Sequence, residues 1–236
     1  MRDALQANLQ GVHERITKAA RGAGRAPESV VLVAVSKTFP AEAVAAALAC
    51  GQVHFGENYA QEGVEKIARV RDLAPASAPC WHFIGPVQSN KTRTLAEHFD
   101  WVQSVDRLKI AERLSQQRPP SMPPLDVLLQ VNISGETTKS GVAPADLTVL
   151  ARAVASLPRL RLRGLMAIPE PEGEPGRQVE PLLRMRRLFD EMRVEHPGCD
   201  TLSMGMSADL EAAVAAGSTM VRIGTAIFGQ RERKAA

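Results

Sequence analysis

The chain of 236 residues contains few of the residues that mark secreted, metal-binding or nucleic-acid-binding proteins. Its three cysteines, Cys50, Cys80 and Cys199, are odd in number and far apart, so they fit neither a disulfide framework nor the paired spacing of a zinc site. We expect them to be small buried or half-buried thiols. Aromatic residues make up only 4% and the formal net charge is +3, which argues against a nucleic-acid partner.

Long hydrophobic runs are also missing from the sequence. No N-terminal apolar segment has the pattern of a secretion signal, and no stretch is apolar over the length that a membrane span requires. We therefore expect a cytoplasmic protein with no membrane partner. Hydrophobic residues at 44% and charged residues at 23% are typical of a soluble globular chain that buries a sizeable core.

The residues that are present alternate between short apolar strands and helical segments. Strands are predicted at 30–36, 53–58, 81–85, 100–105, 125–133 and 160–168, a strand and turn at each of 201–207 and 219–229, and helices between them. An amphipathic helix over about residues 2–20 precedes the first strand. Alternation of this kind indicates βαβ units, a parallel sheet and helices that cover its faces.

Eight such units fit a (β/α)8 TIM barrel, and we expect residues 1–236 to form this single α/β domain. No full helix follows the eighth strand, so the N-terminal helix would fill the vacant place in the outer ring. A doubly wound open sheet is the alternative, but its first strand would normally lead into a glycine-rich turn, and here the chain reads SKTFP. The segment PEPEGEPG (169–176) is expected to be a solvated loop.

Lys37 stands at the carboxyl end of the first predicted strand, which is the working face of such a barrel. Lysines at strand ends commonly extend the ammonium into solvent, and position alone favours that interpretation. The alternative is a Schiff-base lysine, because desolvation lowers the pKa of an amine and the neutral amine attacks an aldehyde.

Two turns near the end of the chain have the composition of an anion site. TLSMGMSADL has a strand end at Ser203, a glycine turn, and Ser207 as the predicted N-cap of a helix with Asp209 in its first turn. MVRIGTAIF places Gly224 and Thr225 directly after the eighth strand. Phosphate sites of these barrels often lie after strands seven and eight, although each motif alone is commonly structural.

Arg222 lies within an apolar strand, where a guanidinium that keeps its charge is either ion-paired with an acid or directed at a ligand. Directed at a pyridine nitrogen, it would keep that nitrogen unprotonated, and such a ring is a poor electron sink. Glu57 has Arg222 or solvent as its candidate partners. His82 is either a satisfied wall residue or a base, and Asn58 is either a pocket residue or a helix cap.

Five blocks of the sequence resemble one known family. VAVSKTFP, FGENYAQEG, WHFIGPVQSNK, RLRGLMAIP and LSMGMSADLEAAVAAGSTMVRIGTAIFG together are similar to the YggS/PROSC family of pyridoxal phosphate homeostasis proteins, over about residues 4–229. The resemblance implies a barrel like the N-terminal domain of alanine racemase, known as pyridoxal phosphate fold type III. It also implies pyridoxal 5′-phosphate as the cofactor, held on Lys37 as an internal aldimine.

The resemblance implies further site residues. Phosphate contacts would come from Ser203, Gly224 and Thr225, and Arg222 would face the pyridine nitrogen. The pocket around the ring would be lined by Asn58, His82, Met166, Met204 and Gly205. Lys139 lies in a loop that, in relatives, is connected with cofactor exchange.

Two functions are open to such a protein. Racemases of this fold use a second base, a tyrosine from an additional β domain, whereas this chain has one tyrosine, Tyr59, which is predicted to begin the helix after strand two. The resemblance implies a non-enzymatic protein of vitamin B6 homeostasis and amino-acid metabolism, which buffers the cofactor or delivers it to apoenzymes. We expect a monomer, with an amino-acid racemase as the alternative function.

Overall fold

The computed structural model describes residues 2–135, 140–168 and 179–230. Eight parallel strands pair in sequence order, and the last also pairs with the first, which closes the sheet into a barrel. The fold-class prediction is therefore confirmed, and the open sheet is excluded. The strands are β1 Val31–Val35, β2 His54–Glu57, β3 Cys80–Phe83, β4 Trp101–Val105, β5 Leu125–Gln130, β6 Leu160–Met166, β7 Thr201–Ser203 and β8 Met220–Ile223.

Nine α-helices lie in the described part of the chain, and most of them match the predicted segments to within a few residues. They are α1 Arg2–Gly22, α2 Ala41–Ala49, α3 Ala60–Leu73, α4 Thr92–His98, α5 Leu108–Gln117, α6 Leu147–Ala155, α7 Val179–Glu195, α8 Leu210–Ala215 and α9 Thr225–Phe228. The predicted segments PEPEGEPG and Lys139 lie outside the described residues.

Most strands end before the residue that the sequence predicts, and the eighth and fifth strands show the reason. The eighth strand ends at Ile223, and the apolar residues TAIF, which the sequence places in a strand and turn, form α9. The fifth strand ends at Gln130, and Val131 forms only an isolated bridge with Val142. In both places apolar residues continue beyond the sheet because they pack against the barrel from a loop or a helix, so hydrophobicity alone does not locate the end.

Helix α1 completes the outer ring. It contacts α8, α9 and α2, so it lies between the last and first units of the barrel, where α9 is only four residues long. Its buried residues follow three- and four-residue steps and face the barrel: Leu5, Leu9, Val12, Ile16 and Ala20. The predicted role of the N-terminal helix is confirmed.

The apolar residues form two separate clusters, one on each side of the barrel wall. Side chains alternate along a strand, so Leu32 and Ala34 join the large cluster under the helices while Val33 points the other way. The smaller cluster fills the barrel interior with Val33, Trp101, Leu128, Met166 and Met220. The side chains that can form a site lie beyond this smaller cluster, at the carboxyl ends of the strands. No helix in the described ranges is long and apolar enough to span a membrane.

Candidate functional site

Lys37 is half-buried and lies two residues beyond β1, at the end of the barrel where the strands end. Ala34 of β1 pairs with Ile223 of β8, so the loop after β8 lies next to Lys37 on one side. The Phe39 ring stacks on Phe228 of α9 with ring centroids 5.1 Å apart. The Lys37 turn and the loop after β8 therefore form one continuous part of the barrel mouth.

The turn that follows Lys37 has an unusual backbone. Thr38 has φ of +69°, a left-handed conformation that β-branched residues rarely adopt and that costs on the order of 1–3 kcal/mol. Its N–H donates to Glu62 Oε1 at 2.5 Å, and the N–H of Phe39 donates to the carbonyl oxygen of Ser36 at 3.0 Å. Strain of this kind persists only where surrounding contacts enforce it, and it is often found at functional sites.

A buried ion pair lies directly behind this turn. Lys66 Nζ is 2.7 Å from Glu57 Oε1 and 2.9 Å from Glu62 Oε1, and the side chains of Lys66 and Glu57 are 4% and 0% exposed. Burial raises the pKa of Glu57, and the Lys66 ammonium opposes that shift. The prediction that Glu57 pairs with Arg222 or solvent is wrong, because Glu57 faces α3 and not the barrel interior.

Lys66 was missed by the sequence reasoning. It lies beside the apolar stripe of α3, at the position three residues after the buried Gly63 and next to the buried Ile67. A lysine on the buried face of an amphipathic helix requires a buried acceptor, which is the signal that points to it. The acidic residue that ends the neighbouring strand, Glu57, is that acceptor.

Arg222 is buried, with 4% of its surface exposed. Its Nη1 donates to Ser203 Oγ at 2.7 Å and its Nη2 donates to the carbonyl oxygen of Ala167 at 2.9 Å. Within the described ranges no carboxylate forms an ion pair with it, so the structural ion-pair interpretation finds no support there. Burial lowers the pKa of Arg222 to about 10, which leaves the guanidinium charged at neutral pH. Asp209 is near enough to oppose that shift but forms no ion pair with Arg222, so the buried guanidinium can still bind an acceptor group of a ligand.

The Arg222 contact continues as a chain of hydrogen bonds through the barrel interior. Ser203 Oγ donates to Gln103 Oε1 at 2.7 Å, and Gln103 Nε2 lies 2.9 Å from His82 Nδ1. His82 Nε2 lies 3.0 Å from His54 Nδ1. An arginine can only donate, so every hydrogen bond of this chain is donated in the direction from Arg222 to His54. His82 therefore accepts at Nδ1 and carries its proton on Nε2. The pKa of His82 lies well below its ordinary value because of burial and the adjacent His54.

The far end of this hydrogen-bond chain brings together three side chains of the type that bind metals. The ligand atoms of His54, Cys80 and His82 all lie within 4.8 Å of one another. His82 Nε2 is the donor to His54, however, so the atom that would have to face a metal has no free lone pair. Burial, with Asp100 and Asp126 nearby, raises the pKa of Cys80 to about 12. We assign the cluster to the hydrogen-bond chain.

The methionines and His82 predicted for the pocket are all fully buried. His82 is fully buried with both ring nitrogens engaged, and Met166 belongs to the cluster inside the barrel. Met204 packs in the large cluster between barrel and helices. The Met204 side chain therefore receives no support as a pocket residue, while His82 connects to the site only through Gln103 and Ser203.

The loop after β7 turns at Gly205, where φ is +99° and a Cβ would stand 2.5 Å from Ala213 Cβ of α8. No other residue fits this close approach to the helix. The predicted N-cap at Ser207 is wrong, because α8 begins after Asp209. The Asp209 carboxylate instead accepts the N–H of Met206 at 2.6 Å and folds the loop back on itself.

The loop after β8 leads directly into α9 at the barrel mouth. A Cβ on Gly224 would lie 3.2 Å from the carbonyl oxygen of Val35, so glycine permits close packing against β1. Thr225 is the exposed first residue of α9. The N–H groups of a first helical turn lack intrahelical acceptors and favour an anion.

Asn58 lies on the other side of Lys37. Val35 pairs with Gly56, and Lys37 and Asn58 each lie two residues beyond this pair, just after neighbouring strands. Asn58 Oδ1 is buried and has no hydrogen-bond partner among the described residues. A buried polar atom of this kind is normally satisfied by a ligand or water. An amine, a buried guanidinium, a helical first turn and an unsatisfied amide thus surround one mouth, an arrangement suited to an anionic carbonyl compound.

The chain is similar to known proteins in sequence and in structure. The family model described as alanine racemase, N-terminal domain, matches residues 2–232. The pyridoxal phosphate homeostasis protein of Escherichia coli strain K12 is 58% identical over 225 residues, which are 95% of this chain and 96% of that protein.

Two solved structures share the barrel. PipY of Synechococcus elongatus PCC7942, whose structure has PLP bound, is 38% identical with a TM-score of 0.79, over 92% of this chain and 100% of PipY. Alanine racemase from Corynebacterium glutamicum has a TM-score of 0.68 at 18% identity, over 98% of this chain and 61% of the racemase. The racemase shares the fold alone.

Proposed function

The chain belongs to the family of the alanine racemase N-terminal domain and, within it, to the pyridoxal phosphate homeostasis proteins, and from this premise we propose that it binds pyridoxal 5′-phosphate and serves in the homeostasis of this cofactor. One observation carries the proposal. The buried Arg222, without a carboxylate ion pair in the described part of the chain, lies on β8, beside the strand β1 that leads to Lys37. An amine and a buried guanidinium so placed match a pyridine aldehyde, whose ring nitrogen can accept a hydrogen bond from Arg222.

Lys37 would hold the cofactor covalently. An amine condenses with an aldehyde with the loss of one water, so Lys37 would hold the cofactor with no further reactant. Gly224, Thr225 and the first-turn N–H groups of α9 would receive the phosphate. Ser203 was predicted as a phosphate contact, but its hydroxyl is engaged with Gln103 and Arg222, which favours a role in orienting Arg222.

Arg222 bears on whether the protein is an enzyme. A guanidinium that faces the pyridine nitrogen donates to it and leaves it unprotonated, so the ring withdraws few electrons from a substrate carbon. Bond cleavage at the α-carbon that relies on strong withdrawal by the ring is then disfavoured. We therefore assign storage and delivery of the cofactor in preference to turnover.

The racemase alternative also needs a second acid–base group. Tyr59 is the chain's one tyrosine, and it lies before α3 with 57% of its surface exposed. An exposed phenol in open solvent is poorly placed to take a proton from a bound substrate. Exchange of the α-proton of amino acids in deuterated water tests this point, and exchange at the rate of an ordinary racemase that is lost in Lys37→Ala would favour the enzyme.

Borohydride trapping tests the proposed site. The protein is incubated with pyridoxal 5′-phosphate, reduced and digested, and we expect the added mass on the peptide that contains Lys37. Lys109→Arg, at an exposed position in the first turn of α5, is the control and should label like the wild type. A label confined to another lysine would exclude Lys37 as the attachment residue.

We also infer that the protein works as a cytoplasmic monomer that passes the cofactor to apoenzymes. The test is to mix the reduced and unreduced holoprotein separately with a pyridoxal phosphate-dependent apoenzyme. Only the unreduced form should restore the activity of the apoenzyme, and faster recovery than with an equal concentration of free cofactor supports direct delivery. Recovery at the rate of free release argues for buffering alone.

A further inference from the structure

We propose that Glu62 and Lys66 are positioning residues for Lys37, because together they hold the two peptide groups on either side of it. The peptide group before Lys37 is held through the Ser36 carbonyl oxygen, which accepts from Lys66 Nζ at 2.7 Å. The peptide group after Lys37 is held through the Thr38 N–H, which donates to Glu62 Oε1 at 2.5 Å. This inference rests on the proposed function, in which Lys37 is the residue that bonds the cofactor.

The two positioning residues are themselves fixed to each other and to the barrel. Lys66 Nζ donates to Glu62 Oε1 at 2.9 Å and to Glu57 Oε1 at 2.7 Å in addition to the Ser36 carbonyl. All three N–H donors of the ammonium therefore have an acceptor. Glu57 also accepts from Ser36 Oγ at 2.6 Å, so the residue before Lys37 is held at its carbonyl and at its side chain. The network ties the end of β1 to α3.

Thr38 explains why such a network is needed. Its φ of +69° is disfavoured for a β-branched side chain, and in an exposed turn it would relax unless an acceptor held its N–H. Relaxation rotates the peptide group between Lys37 and Thr38 and with it the direction of the Lys37 side chain. Glu62 supplies the acceptor, and Lys66 holds Glu62 in place.

A purely structural explanation makes a different prediction for Glu62. If the network served only to neutralise the buried Glu57 carboxylate, Lys66 would suffice, because Glu57 is fully buried while Glu62 is 34% exposed. Removal of Glu62 would then leave cofactor binding unchanged. In the positioning role, Glu62 matters for bonding at Lys37 although it contributes little to the core.

The experiment compares Glu62→Ala with Glu65→Ala. Glu65 is on the same helix with the same charge, but it is exposed, and among the described residues its side chain accepts only from Gln61, at 2.8 Å. The rate of pyridoxal 5′-phosphate attachment is followed by absorbance and by borohydride trapping at Lys37. We expect Glu62→Ala to slow attachment at least about tenfold with an unchanged circular dichroism spectrum, and Glu65→Ala to match the wild type. Wild-type attachment in Glu62→Ala would overturn the inference.

A second variant separates positioning from a general loss of structure. Asparagine tolerates the left-handed region better than other non-glycine residues, so Thr38→Asn needs less enforcement at this position. In the Glu62→Ala background, Thr38→Asn should restore most of the lost attachment rate. Failure of this rescue contradicts a role that acts through the Thr38 backbone.

Amide hydrogen exchange provides a measurement that does not depend on the cofactor. In Glu62→Ala the Thr38 N–H loses its acceptor, and its exchange rate should rise at least about tenfold, while Glu65→Ala leaves it unchanged. Unaltered exchange at Thr38 overturns the positioning inference whatever the cofactor does. If the exchange changes as expected while borohydride never traps the cofactor on Lys37 of the wild type, the assignment of Lys37 as the attachment residue fails. In that case Glu62 still holds the Thr38 N–H.

Discussion

Arg222 Nη1 donates a hydrogen bond of 2.7 Å to Oγ of Ser203, on the neighbouring strand β7. An arginine has no acceptor atom, so Ser203 Oγ must be the acceptor in this contact. The hydroxyl proton of Ser203 is then available for the hydrogen bond that it donates to Gln103 Oε1. The orientation of the guanidinium at the barrel mouth thus depends on polar residues inside the barrel.

Ser203→Ala should weaken the binding of pyridoxal 5′-phosphate. The substitution leaves a buried guanidinium without one acceptor, and hydrogen bonds to charged groups contribute about 1.5–3 kcal/mol, which corresponds to roughly 10- to 100-fold in affinity if Arg222 moves away from its ligand. Equilibrium titration followed by absorbance measures the effect. Ser156→Ala is the control, at an exposed position whose hydroxyl donates only to the Ala153 carbonyl oxygen within the described part of the chain, and it should bind the cofactor as the wild type does.

The same chain predicts how stability depends on pH. In the folded protein the pKa of His82 lies well below its ordinary value of 6.5, whereas in the unfolded chain the ring titrates near that value. Below about pH 6.5 the unfolded chain therefore binds a proton that the folded chain does not. The free energy of unfolding should fall as pH decreases from 7 to 5, by at most about 1.4 kcal/mol per pH unit for this residue.

His82→Gln is the variant that isolates this contribution. Its free energy of unfolding, measured by urea denaturation at pH 7, 6 and 5, should change less over the range than that of the wild type. The pKa of His54 is also lowered, mainly by burial, so part of the dependence should remain in the variant. If the free energy of unfolding changed equally with pH in the two proteins, His82 would not be the neutral, buried member of the hydrogen-bond chain.

The barrel could be predicted from the sequence because its signals are local. A run such as VVLVAV and the amphipathic spacing of Leu5 and Leu9 each report which face of an element is buried. The position of Lys37 at a strand end follows from the same pattern. The two turns and Arg222 also came from the residues themselves, while the resemblance to a family gave their expected roles, and the structure corrects the helix start that the sequence placed at Ser207.

Contacts between distant side chains could not be predicted in this way. Ser203 and Gln103 are 100 positions apart, and nothing in either segment indicates that their side chains meet inside the barrel. Lys66 carries a local signal, since it lies on a buried helical face, but the sequence does not identify Glu57 and Glu62 as its partners or Thr38 as the residue they hold. Closure of the barrel brings these partners together, and their geometry determines the chemistry.

Cysteine reactivity provides a test of the barrel interior. Burial raises the pKa of Cys80 from 9.0 to about 12 and that of Cys199 to about 11. Because the thiolate is the nucleophile, alkylation of Cys80 by iodoacetamide at pH 8 should be about a thousandfold slower than that of an ordinary thiol, and Cys199 should also react slowly. Mass spectrometry of the native and urea-unfolded protein measures the alkylation rates of both cysteines. Rapid labelling of native Cys80 would show that the barrel is open to solvent at the start of β3, where Cys80 lies.

Leu9→Ala should destabilise the whole barrel. The eighth unit ends in α9, which is only four residues long, and α1 occupies the place in the outer ring where a full helix would otherwise pack. Leu9 is 4% exposed within the large apolar cluster, and truncation of such a leucine costs about 2–5 kcal/mol. For a chain of this length that lowers Tm by roughly 5–15 °C in a single transition. Gln6→Ala, at an exposed position of α1, should leave Tm unchanged. A separate early transition in Leu9→Ala, with the barrel still melting at the wild-type temperature, would mean that α1 folds onto the barrel without closing it.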